Sequence, residues 1–144
     1  MQFEKVTAGD ELTPRRVEDL RGEDMKLMAA LLGDPYPMHF DKRASDEQGY
    51  PDLLNQGPAN CSYLLQVVAR TLESPSDIRS FDFRFQEMVF AGETVTATAT
   101  VAETRVENDE GIVDMSVALE KEDGTVAVSG TVTARVPRES ETSE

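Results

Sequence analysis

The spacing of apolar residues divides the chain into a helical first half and a stranded second half. Apolar residues recur at helical spacing over residues 21–32, and Gly33 is a suitable residue to end that helix. A second helix is predicted at 58–73, because Pro58 is favoured in a first turn and the apolar residues nearly encircle the axis. Residues 33–56 are rich in Pro, Gly and polar groups, which indicates an ordered loop with room for a short helical turn after Asp41.

After Pro75 the hydrophobic period changes to two. Apolar and polar residues then alternate in four segments, at 81–85, 95–101, 113–119 and 126–136. Such alternation predicts half-buried antiparallel strands, and the segments 108–111 and 123–124 have the composition of hairpin turns. A long apolar helix followed by at least four antiparallel strands indicates an α+β hotdog fold, with a curved sheet wrapped around a central helix. The small sheet leaves an apolar edge, so we expect dimerisation.

Composition and charge limit the class of protein. The 144 residues correspond to one domain, placed at 1–137, followed by a flexible polar tail at 138–144. No apolar run approaches a membrane span and the N-terminus lacks signal-peptide order, so we expect a cytoplasmic protein without membrane contact. The net charge of −14 argues against nucleic acid as a partner, because phosphate binding needs clustered Lys and Arg. The single cysteine, Cys61, excludes an internal disulfide, and no metal site is predicted.

The only histidine, His39, lies five residues after Asp34 in a segment that also contains Pro35 and Pro37. The prolines restrict the backbone between the two side chains, so a carboxylate and an imidazole could act there as an acid/base pair. Most loop aspartates form caps or turns, however, and a lone histidine is usually structural, so the pair by itself is a weak signal. No serine lies in a nucleophile-elbow pattern that would favour a Ser-His-Asp triad.

A second candidate feature is Asn55-Gln56-Gly57 at the start of the second helix. Free N–H groups and the helix dipole favour a developing negative charge at that position. Gly57 lets a ligand approach the backbone, and its N–H could receive a thioester oxygen as it becomes enolate-like. An ordinary helix cap explains the same residues equally well.

Together these residues resemble the MaoC-like family of (R)-specific enoyl-CoA hydratases. The motif is Gly33-Asp34-x-x-Pro37-Met38-His39, with Ser45 six residues later, and residues 79–85 and 89–93 resemble further segments of the family. The resemblance implies a hotdog enzyme that adds water syn across a trans-2-enoyl thioester, or removes it in the reverse reaction. Asp34, favoured as the base, and His39 would hold the water, and the Gly57 N–H would polarise the thioester carbonyl. CoA enters as part of the substrate, and no other cofactor is implied.

Two positions depart from the family pattern. Tyr36 stands where the family usually has Asn, and Gln56 where it usually has His; with Pro37 and Asn55 they are predicted to shape the substrate pocket. These departures motivate a second hypothesis, a weakly active or non-catalytic subunit that supports a heteromeric hydratase partner. A third is a hotdog acyl-CoA thioesterase, which needs a differently placed carboxylate.

The expected partners are an acyl-CoA thioester and another hotdog chain, in a homodimer or a heteromer. The acidic surface favours CoA over an acyl-carrier protein, because an acidic carrier would be repelled.

Overall fold

The computed structural model describes residues 1–139, and within them the chain forms three α-helices and one five-stranded antiparallel sheet. The helices are α1 (Gly22–Leu32), α2 (Lys42–Glu47) and α3 (Gly57–Ala69). The strands are β1 (Arg15–Val17), β2 (Ile78–Phe85), β3 (Val95–Glu107), β4 (Glu110–Lys121) and β5 (Val126–Val136). Their order in the sheet is β1-β3-β4-β5-β2. The predicted α+β class is therefore confirmed, while residues 140–144 of the predicted tail lie outside the described residues.

The core lies between α3 and the inner face of the sheet. Helix α3 contacts all five strands, and its residues Leu64, Val67 and Val68 are fully buried. On the sheet side, Ala97 pairs with Leu119 in the β3–β4 register, and both side chains are fully buried. Full burial of a side chain such as Leu64 stabilises the fold by about 1.5–3 kcal/mol. The central helix and the wrapping sheet thus depend on one shared core.

Both predicted hairpin turns are present. Asn108 and Asp109 connect β3 to β4 with φ values of 50° and 67°. Positive φ at both central residues is the geometry of a two-residue type I′ turn, which matches the twist of the flanking strands. Gly124 provides a positive φ of 86° between β4 and β5. Residue types that tolerate left-handed backbone therefore fix the register of the three longest strands.

The structure differs from the predicted elements at several ends. Helix α3 stops at Ala69 rather than continuing to residue 73, and the loop contains α2 as a full short helix. Strand β1 was not predicted, because three residues, two of them arginine, carry no readable alternation.

Strand β2 was predicted to be half-buried, but two of its three phenylalanines are exposed. Phe81 and Phe85 are 54% and 55% exposed, because β2 is an edge strand that pairs only with β5 in the described sheet. Gly130 of β5 lies so close to the Asp82 carbonyl that a Cβ there would collide with the β2 backbone. The edge strand is thus held by close backbone approach on one side and carries an uncovered apolar face.

Within residues 1–139, no helix is long and apolar enough to cross a bilayer. The longest, α3, has 13 residues, whereas a span needs about 20. The same residues contain no group of three or more His, Cys, Asp or Glu side chains placed to hold a metal ion.

Candidate active site

Asp34 is positioned by the end of α1. Gly33 adopts the left-handed conformation (φ 63°, ψ 30°), which glycine favours at the end of a helix. The Asp34 N–H then donates to the Ala29 carbonyl at 3.0 Å, which ties the residue to the last turn. One carboxylate oxygen, Oδ1, accepts the Tyr36 N–H at 3.0 Å. This bond orients the carboxylate and leaves the second oxygen, Oδ2, to face His39.

His39 ends a short 3-10 turn, Pro37–His39, between α1 and α2. Its N–H donates to the Tyr36 carbonyl at 3.1 Å, and the turn leads into Asp41, whose side chain caps α2. The hydroxyl of buried Ser45 donates back to the Met38 carbonyl at 3.2 Å. The residues that follow the histidine therefore lock the turn that presents its ring.

The hydrogen bonds of the His39 ring define what each nitrogen can do. Nδ1 lies 2.7 Å from the Leu54 carbonyl oxygen, and since a carbonyl only accepts, Nδ1 carries a hydrogen. Nε2 lies 3.3 Å from Asp34 Oδ2. That contact is attractive only when a proton lies between the two atoms, on the ring nitrogen or on the carboxyl oxygen. The pair is thus arranged to hold and move one proton.

Leu54 joins this loop to the segment that begins α3. Its N–H donates to the Met38 carbonyl at 2.9 Å, while its own carbonyl accepts from His39. The next residue, Asn55, donates its N–H to the Val89 carbonyl at 2.7 Å. The backbone of residues 54–55 therefore lies between the histidine turn and the segment that follows β2.

Helix α3 begins at Gly57, one residue earlier than predicted. A helical residue before proline normally clashes through its Cβ with the proline ring, and Gly57 before Pro58 has no Cβ. The Gly57 N–H makes no hydrogen bond within residues 1–139, as expected at the first position of a helix. A Cβ at this position would lie 3.4 Å from the Phe85 ring. A Cβ here would thus be in van der Waals contact with Phe85, and glycine is favoured mainly by the proline that follows it.

A cavity of about 350 Å³ lies where these segments meet. Its described lining consists of His39, Leu54, Asn55, Gly57, Asn60, Phe85, Gln86, Glu87, Met88 and Val89. His39 and Gly57 therefore line one cavity. Asp34 is not among the described lining residues and reaches the cavity through its contact with His39. The arrangement combines a proton-transfer pair with a backbone donor for a developing oxyanion.

The other predicted pocket residues lie beside this lining rather than in it. Tyr36 packs edge-on against the His39 ring with centroids 5.3 Å apart, and a hydrogen bond with Tyr50 raises the pKa of its phenol. Pro37 opens the histidine turn. Gln56 is buried and donates from Nε2 to the Met25 carbonyl at 2.8 Å, which connects α1 to the start of α3. Its position indicates support of the Gly57 backbone rather than contact with the cavity.

The sequence did not identify Asn60 or the segment 85–89 as part of the site. Asn60 was recognisable as a polar residue on an otherwise apolar helix, three positions after Gly57. The segment 85–89 carries no comparable signal, because it is held beside the cavity by long-range backbone bonds to Asn55 and Ala127.

The sheet wrapped around one helix is the hotdog arrangement, and the Asp34–His39 pair near the start of α3 is its candidate acid–base site. Residues 4–124 match the MaoC like domain family. The match covers most of the chain, and the chain therefore belongs to the MaoC-like dehydratase family.

Individual relatives are distant. The 3-hydroxyacyl-[acyl-carrier-protein] dehydratase FERN, mitochondrial, of Solanum lycopersicum is 24% identical over 115 residues, 80% of this chain and 69% of that protein. The R-hydratase PhaJ1 of Pseudomonas aeruginosa superposes with a TM-score of 0.83 at 20% identity, covering 95% of this chain and 86% of that chain. The ChsH1-ChsH2 complex of Mycobacterium tuberculosis gives 0.77 at 20% identity, with 92% and 99% covered. These likenesses confirm the predicted hotdog fold.

Proposed function

We propose that this chain is an enoyl-thioester hydratase that interconverts trans-2-enoyl-CoA and (R)-3-hydroxyacyl-CoA. The observation that carries the proposal is the 3.3 Å contact between His39 Nε2 and Asp34 Oδ2, with His39 lining the same cavity as Gly57. The chemistry named for the relatives, R-hydratase and 3-hydroxyacyl dehydratase, supports the same reaction.

In the proposed mechanism a water molecule forms hydrogen bonds with both Asp34 and His39. Asp34 Oδ2 removes a proton from the water as its oxygen bonds to the β-carbon, and the C=C electrons move towards the thioester oxygen. The Gly57 N–H stabilises the negative charge that develops on that oxygen. Removal of such a donor typically lowers the rate about 10²–10³-fold. His39 then delivers the proton on Nε2 to the α-carbon and is reprotonated from Asp34. Both groups act from one side of the substrate, which accounts for syn addition.

The Leu54 carbonyl supports this division of roles. It accepts the Nδ1–H at 2.7 Å and therefore leaves Nε2 as the ring nitrogen that faces Asp34 and the proposed water. Proton transfer of this kind is worth about 10²–10⁴-fold in rate. The reaction uses CoA as part of the substrate and needs no further cofactor.

We further propose that a second hotdog chain pairs with the edge strand β2. The strand pairs on one side with β5 and exposes Phe81, whose ring stacks on Phe83 at 5.0 Å. Such an edge offers both backbone hydrogen bonds and apolar area to a partner. The homodimer is the leading form; a heteromer is the second, because the similar ChsH1-ChsH2 structure is a complex of two named chains.

The test is an assay of the purified chain with crotonyl-CoA and longer enoyl-CoAs. Loss of enoyl absorbance without release of CoA supports hydration, whereas free CoA would favour the thioesterase alternative. No activity until a partner chain is co-expressed would support the subunit alternative. Asp34→Asn should nearly abolish hydration, while the exposed hairpin change Asp109→Asn serves as a matched control with unchanged activity.

A further inference from the structure

Two asparagine side chains form a buried polar pair that the proposed hydration chemistry does not use. Asn55 Nδ2 donates to Asn60 Oδ1 at 2.7 Å. The two residues are only 6% and 4% exposed, and both line the cavity. Asn60 lies one helical turn after Gly57, so the pair extends from the helix start along the cavity wall.

The hydrogen-bonding capacity of this pair is only partly used. Each amide has two N–H donors and one carbonyl acceptor, so a single hydrogen bond between the two amides leaves further donors and acceptors without a partner. Within residues 1–139, Asn60 Nδ2 and Asn55 Oδ1 have no protein partner. Exchanging nitrogen and oxygen in both amides leaves the same balance, so the count does not depend on how the amides are oriented. A plain hydrocarbon chain in this cavity would leave buried polar atoms unsatisfied, which is unfavourable.

The charge of the cavity indicates which kind of group completes the pair. Its described lining contains Glu87 and no lysine or arginine. A carboxylate on the acyl group would therefore meet a like charge without a counter-ion. A neutral oxygen avoids this cost, and a hydroxyl can both donate to and accept from the two amides.

The position of the pair indicates where on the acyl group that oxygen lies. The proposed oxyanion donor is the Gly57 N–H, and Asn60 follows three residues later, about 4.5 Å along the helix axis. If the acyl chain runs along α3 from Gly57, this rise brings its γ-carbon level with Asn60, and we place the oxygen there.

We infer that the preferred substrate carries a neutral oxygen, a hydroxyl or a carbonyl, on the γ-carbon of its enoyl group, bound by Asn55 and Asn60. The inference rests on the proposed function for the placement of the thioester. It makes Asn60 a specificity-determining residue that discriminates an oxygenated acyl group from an alkyl one.

The experiment compares two thioesters of nearly equal shape, trans-4-hydroxybut-2-enoyl-CoA and trans-2-pentenoyl-CoA, which differ by a hydroxyl in place of a methyl. Binding is measured by titration calorimetry on the Asp34→Asn chain, so that turnover does not interfere. The hydroxylated thioester should bind at least about tenfold more tightly, because a hydrogen-bonding site rejects an analogue that lacks its partner.

Variants of α3 then locate the preference. Asn60→Leu should abolish or reverse it, and so should the double replacement of Asn55 and Asn60 by Leu, which leaves no unpaired amide to disturb folding. Gln66→Leu, the same chemical change on the same helix but away from the described cavity lining, should retain the preference. Equal binding of the two thioesters, or tighter binding of the pentenoyl compound, would overturn the inference.

Hydration of both compounds by the unmodified chain separates this inference from the proposed function. Hydration of both at equal kcat/KM would overturn the acyl inference and leave the hydratase standing. A binding preference for the hydroxylated compound without hydration of either would overturn the hydratase and leave the recognition site. Failure of both compounds to bind would overturn both.

Discussion

Replacement of His39 by two different residues separates its structural bond from its proposed chemical role. Both ring nitrogens are engaged, Nδ1 with the Leu54 carbonyl at 2.7 Å and Nε2 with Asp34 at 3.3 Å. The amide nitrogen of asparagine, like Nδ1, is attached to Cγ. His39→Asn therefore keeps a donor for Leu54 and removes the nitrogen that faces Asp34. His39→Ala removes both.

The expected magnitudes differ between the two variants. Both should lose about 10²–10⁴-fold in kcat/KM, because neither can deliver a proton from the Nε2 position. This loss corresponds to about 3–5 kcal/mol of transition-state stabilisation. Only His39→Ala leaves the Leu54 carbonyl without its donor in a site where His39 is buried. Its free energy of unfolding should fall by about 1–3 kcal/mol, whereas His39→Asn should stay within about 1 kcal/mol of the original chain.

The measurements are hydration of crotonyl-CoA, followed by enoyl absorbance, and urea unfolding, followed by circular dichroism. Retention of full activity by His39→Asn would refute the role of Nε2. Equal stability of His39→Ala and His39→Asn would show that the bond to Leu54 contributes nothing to the fold. Activity loss that parallels stability loss across the two variants would mean that the histidine acts only through the structure.

Three further outcomes are expected. Gly130→Ala places a methyl group against the β2 backbone and should lower the free energy of unfolding, measured in urea, by about 1–3 kcal/mol. The control Thr131→Ala, at an exposed position on the same strand, should change it little, and equal urea midpoints for the two variants would contradict the close approach. Burial raises the pKa of the Cys61 thiol, so alkylation should begin at higher pH in the folded chain than in urea. Because the folded chain favours the protonated thiol, this group stabilises the fold at neutral pH, and the contribution is lost as pH rises through the raised pKa. Coincident alkylation profiles in the two conditions would disprove the shift. Phe81→Arg should convert a dimer to a monomer in analytical ultracentrifugation, whereas Val106→Arg, similarly exposed but on β3, should not. An unchanged mass in both variants would argue against pairing at β2.

The fold could be predicted wherever one periodicity ran long enough. The alternation in residues 95–101 and 113–119 reflects a sheet with one buried face, and the turn residues between the strands fix their pairing. The same reasoning failed at the edges of the sheet. Phe81 and Phe85 alternate as core residues do, yet they remain exposed because nothing in the described chain lies beyond β2. Alternation identifies a face of a strand, but not whether another element covers it.

Site residues that are close in sequence could be predicted, whereas those brought to the site from distant segments could not. Asp34 and His39 lie in one short segment, so their spacing and the prolines were enough to suggest proximity. Asn60 and the segment 85–89 join the cavity through packing of distant elements, which spacing along the chain does not encode. Gln56 illustrates the converse: its place before Gly57 suggested a pocket residue, while its side chain turns towards the Met25 carbonyl.

Leu54 links two segments of the candidate site that can change independently in evolution. The proton-transfer pair lies within residues 34–39, and the groups proposed to recognise the acyl chain lie at 55–60, joined by two backbone bonds of Leu54 to Met38 and His39. Under the two proposals, substitutions at Asn55 and Asn60 alter which acyl group is accepted and leave Asp34, His39 and Gly57 unchanged. Gene duplication followed by change at positions 55 and 60 would therefore be a short evolutionary route to new substrates with one unchanged reaction.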